Sequence, residues 1–234
     1  MKPLVSVMMP AFNAEQFIAK AIESMQAQTY KNWQLCIVDD GSEDMTATVA
    51  QTYANTDGRI VIVHELHGGC PIARNACLAM AEGDIIARLD ADDTHDPVRL
   101  ERQVNHLLAN DDVDIVTCNM TWLKGNVKLN KKTGPMIPNA YMAGKSNGPC
   151  CASVVAWTKV YAEVGDFDVS MLAGSDGDWN FRAIIEGFRW GHLGGYWYNQ
   201  RRHPAQLSQR MRGMQRSVHT KSREKYAKAW RKRP

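Results

Sequence analysis

Short apolar runs alternate with amphipathic stretches through the first half of the chain. Residues 4–9, Leu4-Val5-Ser6-Val7-Met8-Met9, read as a buried strand that ends at Pro10, and Phe17, Ile18, Ala21, Ile22 and Met25 recur at helical spacing within 14–28. Leu35-Cys36-Ile37-Val38 predicts a second strand, Ile60-Val61-Ile62-Val63 a third, residues 84–89 a fourth and residues 113–118 a fifth. Between them, Ser42 is placed to cap a helix, and Gly68-Gly69 turns into a helix over 71–81 that Gly83 stops. Asp96-Pro97 supplies the cap and first-turn proline of a helix that runs to about residue 109. The alternation predicts an α/β domain whose parallel sheet gathers its loops at the carboxyl ends of the strands.

The second half is less regular. Residues 124–147, rich in Gly, Pro, Asn and Lys, read as loop or a weak hairpin, and 151–157 as a strand. A helix is expected over 175–186, stopped at Gly187, and a polar helix over much of 205–230.

Composition narrows the class. A chain of 234 residues and 26.2 kDa suits one domain with a short appendage, and 44% apolar with 23% charged residues and a mean hydropathy of −0.38 describes a soluble protein. No apolar run reaches the roughly 18 residues of a membrane span, and residues 1–7 lack the features of a secretory leader, so a cytoplasmic location is expected. Cys36, Cys70, Cys77, Cys118, Cys150 and Cys151 show no metal spacing, which favours buried thiols in a reducing compartment.

The charge is lopsided. Residues 201–234 hold twelve of the 28 Lys and Arg but only one of the 25 Asp and Glu, leaving sixteen bases against twenty-four acids in residues 1–200. A basic tail on an acidic body suits a polyanionic partner, either nucleic acid or an anionic membrane; a solvated helix is the plainer alternative.

Three acidic turns are candidates for chemistry. Asp90-Ala91-Asp92-Asp93 crowds three carboxylates that a hard divalent cation would relieve, or it is an acidic turn before the next helix. Asp39-Asp40-Gly41-Ser42 could accept hydrogen bonds from a nucleotide base or ribose, or simply turn the chain. Ser175-Asp176-Gly177-Asp178 could form a capping box, or present Asp176 as a general base.

Taken in order, these turns and their surroundings reach a resemblance. Val5-Ser6-Val7-Met8-Met9-Pro10-Ala11-Phe12-Asn13, Gln28-Thr29-Tyr30-Lys31-Asn32-Trp33, Val38-Asp39-Asp40-Gly41-Ser42, Ala73-Arg74-Asn75, Ala81-Glu82-Gly83-Asp84 and Leu89-Asp90-Ala91-Asp92-Asp93 resemble the family 2 glycosyltransferases of the GT-A fold. Val164-Gly165-Asp166-Phe167-Asp168, Asp176-Gly177-Asp178 and Gly187-Phe188 are similar to the family's acceptor side, and the likeness covers about residues 3–208.

The resemblance implies a Rossmann-like, mostly parallel sheet flanked by helices over residues 1–208. Within it, 1–118 would form the nucleotide-sugar half and 119–208 the acceptor half, with 209–234 as a basic tail. It implies an inverting transfer of one sugar from a nucleotide-diphospho-sugar, usually a UDP-sugar such as UDP-glucose. Asp40 would hold the base, usually uracil, with Pro10 and Asn13 nearby, and Asp39, Arg74 and Asp90 would complete the donor site, Asp90 near the ribose. Asp92, joined by His203, would ligate Mn²⁺ or Mg²⁺, and Asp176 would be the catalytic base.

Three departures from the family pattern stand out. Ser175 replaces the usual Glu before the base, Pro10-Ala11-Phe12-Asn13 lacks the usual Thr or Tyr, and no Gln-x-x-Arg-Trp sequence marks a processive synthase. For the acceptor, a tail with few apolar anchors favours nucleic acid, such as a hydroxymethylated DNA base, over a lipid-linked or surface glycan at an anionic membrane. A non-catalytic module that binds nucleotide-sugar and polyanions is the remaining reading. An oxidoreductase is excluded, because no Gly-x-Gly-x-x-Gly follows the first strand.

Overall fold

The computed structural model describes residues 2–124, 127–131, 142, 151–171 and 173–231. Its centre is β1 (Val5–Ala11), paired in parallel with β2 (Trp33–Asp40) on one side and β4 (Ile85–Arg88) on the other, with β3 (Ile60–Glu65) parallel to β2. β1, β2 and β4 read as nearly continuous apolar runs because both faces of the sheet are covered there, whereas Val61 and Val63 of β3 are exposed. Val5, Val7, Met9, Leu35 and Ile37 pack on one face with Ile18, Ala21, Ile22 and Met25 of α1 (Ile18–Gln26). The alternate residues Met8, Cys36, Val38 and Ile86 pack on the other with Ala73 and Cys77 of α3 (Cys70–Ala79). Helices α2 (Thr46–Ala54) and α4 (Arg99–Ala109) complete this half. Gly83 cannot carry a side chain, since a Cβ there would lie 2.6 Å from the Leu4 carbonyl.

Pro10 does not end β1, as the pattern suggested. The Met8 carbonyl accepts the Leu89 N–H on the β4 side, and strand alternation turns the Pro10 backbone to that same side, beyond the last residue paired with β4, so its missing N–H costs no ladder bond.

The second half mixes directions. Beyond β4 the strand order continues through β8 (Val155–Trp157), β6 (Ile115–Lys124) and β9 (Trp190–Arg201) to β5 (Thr94–His95), with β7 (Val127–Lys131) beside β6. β6 runs parallel to β9 and forms an antiparallel hairpin with β7. The expected strand over 151–157 is a 3₁₀ turn, Cys151–Ser153, followed by the short β8, which is wedged antiparallel between β4 and β6. β5 lies antiparallel to β9. The helices here are α5 (Thr158–Val164), α6 (Ser175–Glu186), α7 (Leu207–Arg210) and α8 (Arg212–Trp230), so the expected polar helix is broken at Met211.

Most of the loop expected over 124–147 lies outside the described residues, as does Cys150. Cys36, Cys77 and Cys118 are buried thiols, while Cys70 and Cys151 are half-buried, and none of the five forms a disulfide. No helix among the described residues is long and apolar enough to cross a membrane.

Candidate active site

The carboxyl ends of β2 and β4 carry two of the acidic turns, the third opens α6, and the loop after β1 is clamped to the turn after β2. Asn13 takes a left-handed conformation (φ 47°), which Asn tolerates better than most residues. From there its N–H donates to Ser42 Oγ at 2.9 Å and its Oδ1 accepts the Glu43 N–H at 2.9 Å. Ser42 therefore joins two loops and does not cap α2. Asp44 takes that place, accepting the Thr46 N–H at 2.9 Å. Gly41 (φ 69°) lets the turn pass under His67, where a Cβ would meet the His67 amide nitrogen at 2.7 Å.

The two acids ending β2 are both buried but differ in their partners. Asp40 accepts the N–H groups of Gly68 (2.8 Å) and Gly69 (3.0 Å) and faces His67 Nδ1 at 3.0 Å. Asp39 meets His64 Nδ1 at 3.4 Å through Oδ2, whereas its buried Oδ1 has no partner among the described residues. A buried carboxylate oxygen without a donor is costly, which makes Oδ1 an open acceptor. Above this turn the rings of Phe12 and His67 stack at 4.2 Å, and Phe12 is 40% exposed. Pro10, half-buried, precedes the same loop.

The acidic turn after β4 divides its labour. Asp90 faces Arg74 Nη2 at 3.6 Å, and burial raises its pKa despite Arg74, with Asp92 and Asp176 adding to the rise. Arg74, on α3, also donates to Ser175 Oγ at 3.2 Å, so one guanidinium bridges the β4 turn and the first turn of α6. The Cys70 thiol beside it, pushed up to about 11 chiefly by burial, feels Asp90, Asp176 and Asp40 together. Three turns far apart in the chain thus surround the amino end of α3.

Asp92 Oδ2 lies 2.9 Å from His203 Nε2. Asp93, the third carboxylate of the turn, has a different set of partners. Its buried carboxylate accepts the Tyr198 hydroxyl (2.7 Å) and the Arg201 N–H (2.7 Å), fastening the end of β9 to the turn. Burial first, then Asp92 and Asp90, hold its pKa well above the ordinary range. Arg201 Nε adds a bond to the Asp92 carbonyl at 3.0 Å, and the ring of Phe17 lies 4.4 Å from that of His203. The pattern of the sequence did not single out Tyr198 or Arg201, because an aromatic and a base in a strand carry no signal until pairing brings them to the turn.

The capping box at 175–178 does not form. Gly174 (φ 79°) begins α6, Ser175 is the first helical residue and accepts from Arg74, and Asp178 faces the other way. Asp178 is held by Arg182 Nε (3.0 Å) and by the hydroxyl of Tyr226 (3.0 Å). Asp176 is half-buried, and its Oδ1 accepts the adjacent Gly177 N–H at 2.8 Å. Of the two acids, Asp178 is committed to side chains of the protein, and the charge of Asp176 acts on Arg74 and Asp90.

No three His, Cys, Asp or Glu side chains among the described residues converge as ready metal ligands. One carboxylate and one imidazole do, Asp92 and His203, and that pair suits Mg²⁺ or Mn²⁺, which commonly take one or two protein ligands and fill the remainder from phosphates and water.

The chain is similar to several known proteins. EpsE of Bacillus subtilis, named as a glycosyltransferase, is 33% identical over 161 residues, 68% of this chain and 58% of its own. WfgD of Escherichia coli, a UDP-Glc:α-D-GlcNAc-diphosphoundecaprenol β-1,3-glucosyltransferase, is 37% identical over 127 residues, 54% of this chain and 46% of its own. The chain spans about half the length of these relatives. Among solved structures, Staphylococcus aureus TarS 1–349 in complex with UDP-GlcNAc has a TM-score of 0.73 at 18% identity, over 86% of this chain and 59% of its own. Mannosyltransferase PcManGT of Pyrobaculum calidifontis, in complex with GDP-Man and Mn²⁺, has a TM-score of 0.71 at 20% identity, over 100% and 66%. At these identities the structural likeness is one of fold. The profile of glycosyl transferase family 2 matches residues 6–157, more than half of the sequence, and the chain belongs to that family.

Proposed function

We propose that this chain transfers one sugar, with inversion, from a nucleoside-diphosphate sugar to a hydroxyl of a saccharide carried on a polyprenyl diphosphate. The observation that carries the reading is the convergence of Asp92 with His203, of Asp90 with Arg74 and Ser175, and of the first turn of α6 at one end of the sheet. Asp39 presents its open Oδ1 to a ring N–H of the base, and Asp40 shapes that pocket by holding the Gly68-Gly69 turn. Pro10 and Asn13 border it. Asp92 and His203 would hold Mn²⁺ or Mg²⁺, which when bound supplies Lewis-acid neutralisation of a diphosphate leaving group. Asp176 takes the proton of the acceptor hydroxyl as its oxygen attacks the anomeric carbon, and the nucleoside diphosphate departs from the opposite face with the bonding electrons. Arg74 keeps the donor side and the base helix in register.

The acceptor class rests on the relatives, WfgD above all, whose name specifies a diphosphoundecaprenol-linked saccharide. A second reading, a hydroxymethylated base in DNA reached through residues 209–234, draws on the exposed Lys221, Lys225, Lys228 and Arg231 of α8 and its end.

The test incubates the full chain and Mn²⁺ with UDP-glucose, UDP-GlcNAc or GDP-mannose, against GlcNAc-diphosphoundecaprenol and against DNA containing hydroxymethylcytosine, and reads product mass. A hexose-sized gain on the lipid-linked saccharide is expected. A gain only on DNA selects the second reading, and nucleotide binding without any product identifies a non-catalytic module.

A further inference from the structure

The basic tail is not a free appendage. Tyr226 and Trp230 of α8 close over Phe181, Ile184 and Ile185 of α6, and the rings of Phe181 and Tyr226 stack at 5.8 Å. From this buried seat Tyr226 donates its hydroxyl to Asp178 Oδ1 at 3.0 Å, while Lys225 donates to the Tyr226 oxygen at 3.3 Å. Burial first, and then the charge of Asp178, raise the phenol's pKa and keep it a donor. The other oxygen of Asp178 takes Arg182 Nε, and the same guanidinium caps the end of α5 through the carbonyls of Val164 and Asp166.

Asp178 is two residues beyond Asp176, in the first turn of α6. That turn begins at Gly174 in a left-handed conformation and gains no side-chain cap at its amino end. Its backbone is secured by the Asp178 N–H to the Gly174 carbonyl (3.0 Å), by Arg74 on Ser175, and by the two bonds to the Asp178 carboxylate. Only one of these comes from α8.

We propose that Tyr226 is a positioning residue: through Asp178 it holds the first turn of α6, and with it Asp176, in the orientation the reaction needs, so that the C-terminal helix is part of the catalytic apparatus. The proposal rests on the assignment of Asp176 as base. Hydrogen-bonded ordering of a group in this way acts on turnover and leaves donor binding alone, since the donor side chains lie on β1, β2 and α3 and in the loops after β1, β4 and β9, none of which Tyr226 touches.

The test is Tyr226→Phe, which keeps the ring on Phe181 and removes only the donor, measured in the full chain. Amide exchange at 178–181 should rise about tenfold with β1, β2 and β4 unaffected, as expected for the loss of one buried hydrogen bond to a charged group. The turnover number should fall about fivefold or more, with the donor KM and the UDP affinity within about twofold of wild type. Unchanged exchange at 178–181 overturns the proposal, as does a rise spread evenly over the domain, which would mark Tyr226 as structural only. Tyr226→Leu, which also strips the ring, should show the same local rise on a lower melting temperature. The exchange is read without donor, so a chain that proves to transfer no sugar still decides what Tyr226 does, and the base assignment then falls by itself.

Discussion

His203 Nε2 and Asp92 Oδ2 sit 2.9 Å apart across 111 residues of sequence. The contact exists because Asp93, next to Asp92, binds the Tyr198 hydroxyl and the Arg201 N–H, which delivers the chain after β9 to the acidic turn. If the pair holds the cation, Asp92→Asn and His203→Ala should each remove most of the Mn²⁺-dependent part of UDP binding measured by calorimetry, and chelation of the wild type should do the same. Identical isotherms for both variants and the wild type would dismiss the pair.

The two acids of α6 should separate in kinetics. Asp176→Asn is expected to lower turnover about 10²-fold or more while UDP affinity holds. Asp178→Asn keeps the steric shape but weakens the bonds from Arg182 and Tyr226, so it should cost about 1–3 kcal/mol by urea titration and lower turnover only about as far as Tyr226→Phe does. Full turnover in Asp176→Asn would remove it as base.

Asp39 and Asp40 should separate in a different way. Asp40→Ala strips the acceptor from the Gly68 and Gly69 N–H groups and should cost about 1–3 kcal/mol in stability. Asp39→Ala should leave the melting temperature near wild type, because one oxygen has no partner to lose, and should weaken UDP about tenfold if a base N–H binds there. Equal UDP affinity in Asp39→Ala and wild type would return the base to Asp40.

One acid pair away from the site sets a pH dependence of stability. Hydrogen bonds from Arg59 (2.7 Å), with help from Gln26, hold the Asp57 carboxyl well below the ordinary range. The folded-state pKa is depressed, so the stabilisation is present above the unfolded value of about 3.9 and is lost as pH falls below it. Arg59 is more than a third exposed, so solvent screening limits the gain to about 1 kcal/mol. The stability difference between wild type and Asp57→Asn should be constant from about pH 7 to 5 and shrink below about pH 4, which urea titrations at several pH values would read.

Truncation after Arg210 tests how α8 is used. Because Tyr226 covers Phe181, removing the helix should lower the melting temperature by several degrees, as expected for exposing one or two large apolar side chains. A truncated chain that melts like the wild type would show that α8 is independent of the fold.

The α/β class was legible because period carries it. Ile18, Ala21, Ile22 and Met25 repeat at helical spacing and all four are buried, and the apolar runs at 35–38 and 60–63 sit within β2 and β3. Helix α6 spans the expected 175–186, since Gly174 and Gly187, both with positive φ, punctuate it. The acidic turns were also legible as positions, because strand ends in a parallel sheet share an edge.

What each side chain at those positions does was not. Asp39 and Asp40 are adjacent and of one type, yet strand alternation and the Gly68-Gly69 turn give one a full set of partners and leave the other with an open oxygen. Asp90, Asp92 and Asp93 formed one acidic cluster in the sequence, and the return of β9 assigned them to Arg74, to His203 and to Tyr198 with Arg201. The basic tail read as an arm for a polyanion with few apolar anchors, and only the packing on Phe181 showed that Tyr226 seats it on the domain. Local spacing determines which face of an element is apolar and where the chain turns. Long-range partners depend on register and crossover, which set the direction of every side chain at once, and those are properties of the assembled sheet.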